Sequence, residues 1–299
     1  MSEFSLQPGD ELAVALRRAA AYLAECGVEN ATVDAELIAA YLFEKDGAGI
    51  ISRGRVQALA LLGSPVPAGF EELVNLRGQR IPLQHLTGQA HFRQLALSVG
   101  PGVFIPRPET ELLVDYALAA YRQLVEQGQN GVMVDLCTGS GAIAASLAFE
   151  EPGASVHAVE LSQTAHAWAE KNLEPHGVNL VHGDALTALE ELRGTVTVVA
   201  SNPPYIPADA VPKDPEVRDH DPKMALYGGG EDGMQLPRAI TARAFDLLAP
   251  GGFFIVEHAE TQQELMASAL QVAGFERVVS IDDFAGKPRH TSGYKPLKV

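Results

Sequence analysis

Residues 198–210 read VVASNPPYIPADA. An apolar run stops at Asn202, and two prolines and a tyrosine follow. Proline locks φ and carries no N–H, so this backbone is stiff and offers acceptors without donors. The Asn202 side-chain oxygen and the Pro203 carbonyl can together hold both N–H bonds of one NH2 group. A planar amide or aniline-type nitrogen is a poor nucleophile, because its lone pair is delocalised. Two fixed acceptors would orient that nitrogen and favour its pyramidal form, a positioning and electrostatic role. Tyr205 can stack on a flat target group and sit near a cationic transition state. Taken alone, Asn202-Pro203-Pro204-Tyr205 is equally a rigid turn after a strand.

A second group of residues lies upstream. The run VDLCTGSGAIA (Val134–Ala144) places Asp135 and Cys137 before a tight turn of Thr138, Gly139, Ser140 and Gly141. Glycines there let the backbone approach a ligand, and a helix N-terminus offers free N–H groups. Glu160 follows in HAVELS, where an acid can accept hydrogen bonds from both hydroxyls of a ribose. Asp184, in HGDAL, can accept from an adenine amino group. The glycine turn is weak evidence by itself, and GSGAIA approximates the G-x-G-x-x-G/A of a dinucleotide dehydrogenase. Two features oppose that reading. Asp135 would repel a pyrophosphate but could hold an ammonium group, and Asp184 suits a single nucleoside.

The elements that must position these residues are readable from periodicity. Residues 1–80 read as a small helical bundle, with Leu12, Leu16, Ala19 and Leu23 on one face and Gly27 as a C-terminal stop. A second helix takes Thr32 as N-cap, with Asp34 and Glu36 in its first turn. A further helix opens at Pro67. Residues 81–105 read as a β-hairpin linker, from the alternation at Leu95, Leu97 and Val99. Residues 106–299 begin with a helix near Pro108. Strands then alternate with helices: GVMVDLC, SVHAVEL, NLVHGDA, TVTVVASN, GGFFIVEH, ERVVSIDD and a final GYKPLKV. Such alternation predicts an α/β domain with a mainly parallel sheet covered on both faces. The last two strands follow one another without a helix, so an antiparallel pair is expected at one end. Residues 206–233 are rich in proline and glycine, too irregular for a helix throughout, and long loops beside a site often form lids or partner surfaces.

Composition bounds the function. The 299 residues carry a net charge of −16, and acids outnumber bases both in the first ninety residues and in the rest. That opposes direct grip on nucleic-acid phosphates. The apolar runs are interrupted by polar and charged residues, so no membrane association is expected. The acidic N-terminal stretch lacks the basic n-region of a signal peptide. Cys26 and Cys137 are too few for a disulfide framework or a cysteine metal site, and a reducing cytoplasm fits. The nine histidines lack ligand spacing, so no metal is expected.

Asp135, the glycine turn, Glu160 and Asp184 together resemble the S-adenosylmethionine site of a Rossmann-like class I methyltransferase. In such a fold the fourth strand ends opposite the reacting methyl, which is where Asn202–Tyr205 falls. More specifically, the chain resembles the bacterial release factor glutamine methyltransferase family (PrmC/HemK) over nearly its whole length. The matching segments are TVDAELIAAYL, PLQHLTGQAHF (Pro82–Phe92), FIPRPETELLV (Phe104–Val114), VDLCTGSGAIA, SNPPYIP, EVRDHDPKMALYGGGEDG (Glu216–Gly233), GGFFIVEH and DDFAGKPR (Asp282–Arg289). The resemblance implies methylation of N5 of the glutamine in the GGQ motif of class I peptide-chain release factors, with S-adenosylhomocysteine as product. It implies that Asp135, Cys137–Gly141, Glu160, Asp184 and Ala185 contact the cofactor. Asn202 would bridge cofactor and substrate, and Asn202, Pro203, Pro204 and Tyr205 would grip the amide. The helical domain would dock the partner. Cys137 stands where many relatives have glycine, so the backbone there must accept a Cβ. Glu160 replaces a commoner Asp, and Ala185 stands where some relatives carry an aromatic. Arg107 and Glu109 either meet ligand or pair to fix the domain junction. Phe104 reads as core. His258 reads as a structural histidine rather than a general base. The rival classes are an adenine-N6 or guanine-N2 nucleic-acid methyltransferase and a non-catalytic binding module.

Overall fold

The computed structural model describes residues 3–297. Five helices come first: α1 (Leu12–Glu25), α2 (Ala31–Phe43), α3 (Arg53–Leu61), α4 (Phe70–Gly78) and the short α5 (Leu83–Thr87). In α1 the buried stripe is Leu12, Ala15, Ala19 and Leu23, the i, i+3/i+4 pattern of an amphipathic helix. Leu16 is only partly buried. Gly27 takes φ +80°, and Val28 N–H reaches back to the Leu23 carbonyl, closing the helix. Leu12, Leu23, Ile38, Val56, Phe70 and Val74 form the core of this unit.

Several helix starts differ from expectation. Thr32 lies inside α2, which begins one residue earlier after Asn30. α4 begins at Phe70, because Gly69 at φ +85° cannot continue a helix back to Pro67. Asp34 and Glu36 are not solvated first-turn acids. Asp34 is buried against Arg77 at 2.7 Å, and Glu36 accepts from Arg53 and Gln57, each at 2.8 Å. Residues 213–220, far along the chain, belong to this same unit. Their Glu216 accepts from Arg77 Nη1 and from Arg80 Nε, both at 2.7 Å.

The other unit comprises residues 89–212 and 221–299. It opens with the hairpin β1 (Gln89–Phe92) and β2 (Leu95–Ser98). The stretch 81–105 is therefore not hairpin throughout, since α5 occupies part of it. There follow α6 (Thr110–Glu126), β3 (Val132–Leu136), α7 (Ala142–Glu150), β4 (Ser155–Glu160), α8 (Gln163–Leu173), β5 (Asn179–His182) and β6 (Val196–Ser201). After the excursion, with α9 (Pro215–His220) and α10 (Lys223–Leu226), come α11 (Gln235–Leu247), β7 (Leu248–Glu257), α12 (Gln263–Ala273), β8 (Glu276–Asp282) and β9 (Pro288–Tyr294).

The strands form one seven-stranded sheet in the order β5-β4-β3-β6-β7-β9-β8. Its first five members are parallel, and β9 runs antiparallel to both β7 and β8. This is the Rossmann-like arrangement, with the strand order reversing between β3 and β6. Successive residues of the inner strands point to opposite faces. Met133, Val198 and Ile255 enter one apolar core, and Val134, Val199 and Phe254 enter the other.

The terminal strand is displaced from expectation. β9 spans Pro288–Tyr294 rather than the GYKPLKV stretch, whose last two residues lie outside the described ones. PRHTSGY has no apolar alternation, yet β9 is an interior strand. Small residues suit it there: a Cβ on Gly293 would lie 3.1 Å from Phe275 and 3.2 Å from Leu270.

Candidate active site

Parallel strands all end on the same edge of a sheet, and here that edge collects the polar residues. Asp135 is in β3, Glu160 ends β4, Asp184 follows β5, Asn202 follows β6 and Glu257 ends β7.

The turn after β3 is held by two carboxylates, one on its own strand and one at the end of β4. Asp135 Oδ2 accepts from Thr138 Oγ1 at 2.5 Å and from the Ala144 N–H at 3.2 Å. Glu160 accepts from the Gly139 N–H at 2.8 Å and the Ser162 N–H at 2.7 Å. Gly141 takes φ +86°, and a Cβ there would sit 2.9 Å from Leu173 of α8, so glycine is required twice over. At Gly139, φ is +58° and a Cβ would meet nothing within 4 Å, leaving open room over the turn. Cys137 does take the left-handed conformation, φ +64°, and bears the strain of a Cβ there.

Three acids surround this turn. Burial pushes the Asp135 carboxyl up to about 7, against the hydrogen bonds from Thr138 and Ala144 and with the Glu160 charge adding to the rise. Burial likewise raises Glu160, opposed by the backbone N–H groups of Ser162, Gly139 and Leu161. The Cys137 thiol is raised by burial and then by the charges of Glu160, Asp135 and Asp184. Asp135 Oδ1 is buried and has no hydrogen-bond partner among the described residues. A buried carboxylate oxygen with no donor, in a negative field, fits a cationic ligand group and disfavours a pyrophosphate. The residues present thus fit the ammonium-bearing S-adenosylmethionine. Asp184 is exposed and its Oδ1 caps the Leu186 N–H at 2.9 Å, while Ala185 is buried beside it in the core.

The corner after β6 is built differently. Pro203 and Pro204 are buried, and Asn202 and Tyr205 are partly exposed. Asn202 Nδ2 donates to Thr110 Oγ1 at 3.3 Å, and Thr110 donates to Glu257 Oε2 at 2.7 Å. Tyr205 O–H points to Glu257 Oε1 at 3.4 Å. Burial and then the Glu257 charge push its phenol above the ordinary value. Gln262 Nε2 donates to the Tyr205 carbonyl at 2.7 Å and to the Asp232 carbonyl at 2.8 Å. Neither Asn202 Oδ1 nor the Pro203 carbonyl has a hydrogen-bond partner among the described residues.

The near part of the 206–233 insertion is a brace. Ile206 N–H bonds the Leu226 carbonyl at 2.8 Å, and Gly228 N–H bonds the Ile206 carbonyl at 3.0 Å. A Cβ on Gly228 would lie 2.6 Å from the Pro204 carbonyl oxygen, and one on Gly233 2.2 Å from that of Tyr205. The glycines of YGGGEDG there admit a close backbone approach.

Other expectations resolve. Arg107 bonds Asp221 at 2.7 Å and lies 4.9 Å over the Phe104 ring, so its partner is not Glu109. Phe104 is partly exposed, and Val103 and Ile105 on either side are the core residues. His258 is buried. Its Nδ1 faces the Ala259 carbonyl at 2.8 Å and must donate, so Nε2 accepts from Thr291 at 2.9 Å. Both nitrogens are occupied, as a structural histidine requires. Sequence reasoning missed Thr110, Gln262 and the glycine brace. The Glu-Thr-Glu run starting α6 was the one local signal, and nothing in it pointed to Asn202.

Comparison with known proteins bears on the whole chain. Residues 14–88 match the model described as PrmC N-terminal domain, and residues 97–214 that of the methyltransferase small domain. A release factor glutamine methyltransferase of Streptomyces coelicolor is 45% identical over 279 residues, covering 92% of this chain and 95% of the relative. One from Mycolicibacterium smegmatis is 46% identical over 284 residues, covering 93% and 95%. A 4-amino-L-phenylalanine/4-methylamino-L-phenylalanine methyltransferase of Streptomyces pristinaespiralis is 38% identical, covering 88% of each chain. With this glycine turn and this Asn-Pro-Pro-Tyr corner on one sheet edge, and relatives this similar along almost their full length, the chain belongs to the release factor glutamine methyltransferase family.

Proposed function

We propose that the protein transfers a methyl group from S-adenosylmethionine to N5 of the glutamine in the GGQ motif of class I release factors, modulating translation termination. The observation that carries this reading is the pair of unpartnered acceptors, Asn202 Oδ1 and the Pro203 carbonyl, on a proline-stiffened corner. Bound at the glycine turn, S-adenosylmethionine supplies an electrophilic methyl on a positive sulfur. Asp135 Oδ1 would hold its ammonium, Glu160 its ribose hydroxyls and Asp184 its adenine amino group, with Cys137–Gly141 and Ala185 lining it.

Asn202 and Pro203 each take one N–H of the carboxamide. The nitrogen lone pair is thereby aimed at the methyl carbon, and Tyr205 flanks the flat group. Transfer would form the N–C bond at the expense of the donor's S–C bond, whose electron pair would stay with the donor. The methylated nitrogen, now acidic, loses its proton to water, so no strong base is needed. His258, with both nitrogens occupied, is not one. The helical unit serves as the docking surface for the release factor, and the net charge of −16 speaks against nucleic acid as the acceptor.

The test offers labelled S-adenosylmethionine with a release factor, with free 4-amino-L-phenylalanine, and with total RNA and DNA. Label confined to the GGQ peptide is expected. Label in the aromatic amine or the nucleic acid, with none in the peptide, would overturn the reading.

A further inference from the structure

One carboxylate stands behind both polar side chains of the Asn202–Tyr205 corner. Glu257 is buried at the end of β7, with Oε2 toward Thr110 and Oε1 toward Tyr205. His290 Nε2 lies 3.5 Å from Oε2, and Arg289 is close enough for its charge to be felt. Thr110 is itself buried, 3% exposed, so water does not compete for its hydroxyl.

The direction of each bond follows from proton count. A carboxylate accepts and does not donate, so the one hydroxyl proton of Thr110 goes to Glu257. Toward Asn202 the Thr110 oxygen can then only accept. The Asn202 amide must present its NH2 end to Thr110, as it does at 3.3 Å. The two ends of an amide are nearly the same size, so packing alone does not choose between them. Were the amide inverted, its two N–H donors would meet the N–H donors of a substrate amide, and the grip would fail.

We propose that Glu257 and Thr110 are positioning residues that lock the polarity of the Asn202 amide, so that its oxygen is always the end offered to the nitrogen to be methylated. The lock rests on the reading of Asn202 as an acceptor for the substrate NH2. Thr110 and Glu257 are both buried behind the corner. The lock acts by removing a conformer.

Thr110→Val keeps the shape and deletes the hydroxyl, while Thr110→Ser keeps the hydroxyl. In Thr110→Val, kcat toward a release factor should fall about 10- to 100-fold, the scale of a mispositioned reacting group. Calorimetric affinity for S-adenosylmethionine should hold, which also shows that the variant folds. Thr110→Ser should recover most of kcat. In an Asn202→Ala background Thr110→Val should add nothing further, because the group it orients is gone. A second readout needs no turnover. The Asn202 side-chain NH2 signals, identified by their loss in Asn202→Ala, should exchange slowly in wild type and Thr110→Ser and quickly in Thr110→Val. Unchanged exchange in Thr110→Val, or an equal loss of kcat with and without Asn202, overturns the lock. Slow exchange in a protein that methylates no release factor would leave the lock standing and defeat the functional reading instead.

Discussion

The two halves of the candidate site are stabilised over different distances. The turn after β3 is closed partly by neighbours, Thr138 and Ala144 bonding Asp135 three and nine residues away, and partly by the adjacent strand and helix, through Glu160 and Asn172, 21 and 32 positions from the groups they bond. The corner after β6 is closed from afar. Asn202 leans on Thr110, 92 positions earlier, and Tyr205 on Glu257 and Gln262, 52 and 57 positions later. The first half draws on local bonds and on the next strand and helix of the chain. The second exists only when α6, β7 and the residues after β7 are all in place. The corner therefore depends on more distant parts of the chain than the turn does.

The sharpest way to break the comparison is to remove the aiming group. Asn202→Ala should cut methyl transfer by about 1000-fold, the scale of a lost transition-state hydrogen-bonding group, with cofactor affinity largely kept. Calorimetry beside a single-turnover assay checks both. Equal losses in both would merge the two halves into one.

Next in size is the brace. Gly228→Ala would drive a methyl against backbone oxygens that cannot rotate away. It should cost about 1–3 kcal/mol in denaturant unfolding and lower kcat more than cofactor affinity. A loss of cofactor affinity alone would show that the insertion serves the other half.

The cofactor half can be probed by pH. Asp135 has its folded value raised to about 7, so the free folded protein takes up a proton that the unfolded chain, near 3.8, does not. Its contribution to stability is complete below the unfolded value and is lost as pH rises through about 7. A cationic ligand prefers the ionised form. Affinity for S-adenosylmethionine should therefore strengthen as pH rises through about 7, with proton release visible in buffers of different ionisation enthalpy. Asp135→Asn should bind more weakly and lose that pH dependence.

The smallest effect belongs to Cys137. Glycine relieves the left-handed strain but adds unfolded-state freedom, so Cys137→Gly should raise stability by no more than about 1 kcal/mol. A thermal melt reads it directly, and a lower midpoint would show that the thiol packs better than its backbone suffers.

Much of this was legible in one dimension. Consecutive apolar strands separated by amphipathic helices imply a covered parallel sheet, since nothing else buries such runs. The left-handed Cys137 was legible through the family resemblance, which puts it at a place where many relatives have glycine. Asp34 and Glu36 were less legible: first-turn acids are ordinarily solvated, and only packing against Arg77 and Arg53 turned them inward. β9 was missed because an interior strand of small and polar residues carries no apolar alternation.

By itself, then, the order of amino acids determined which backbone is stiff, which turn needs glycine, and which side chains could accept or donate. Those properties belong to single residues and near neighbours. Tertiary structure alone decided which acceptors stay free. Thr110, Glu257 and Gln262 become partners of the corner only after folding, because a hydrogen bond between positions far apart in the chain has no local signature.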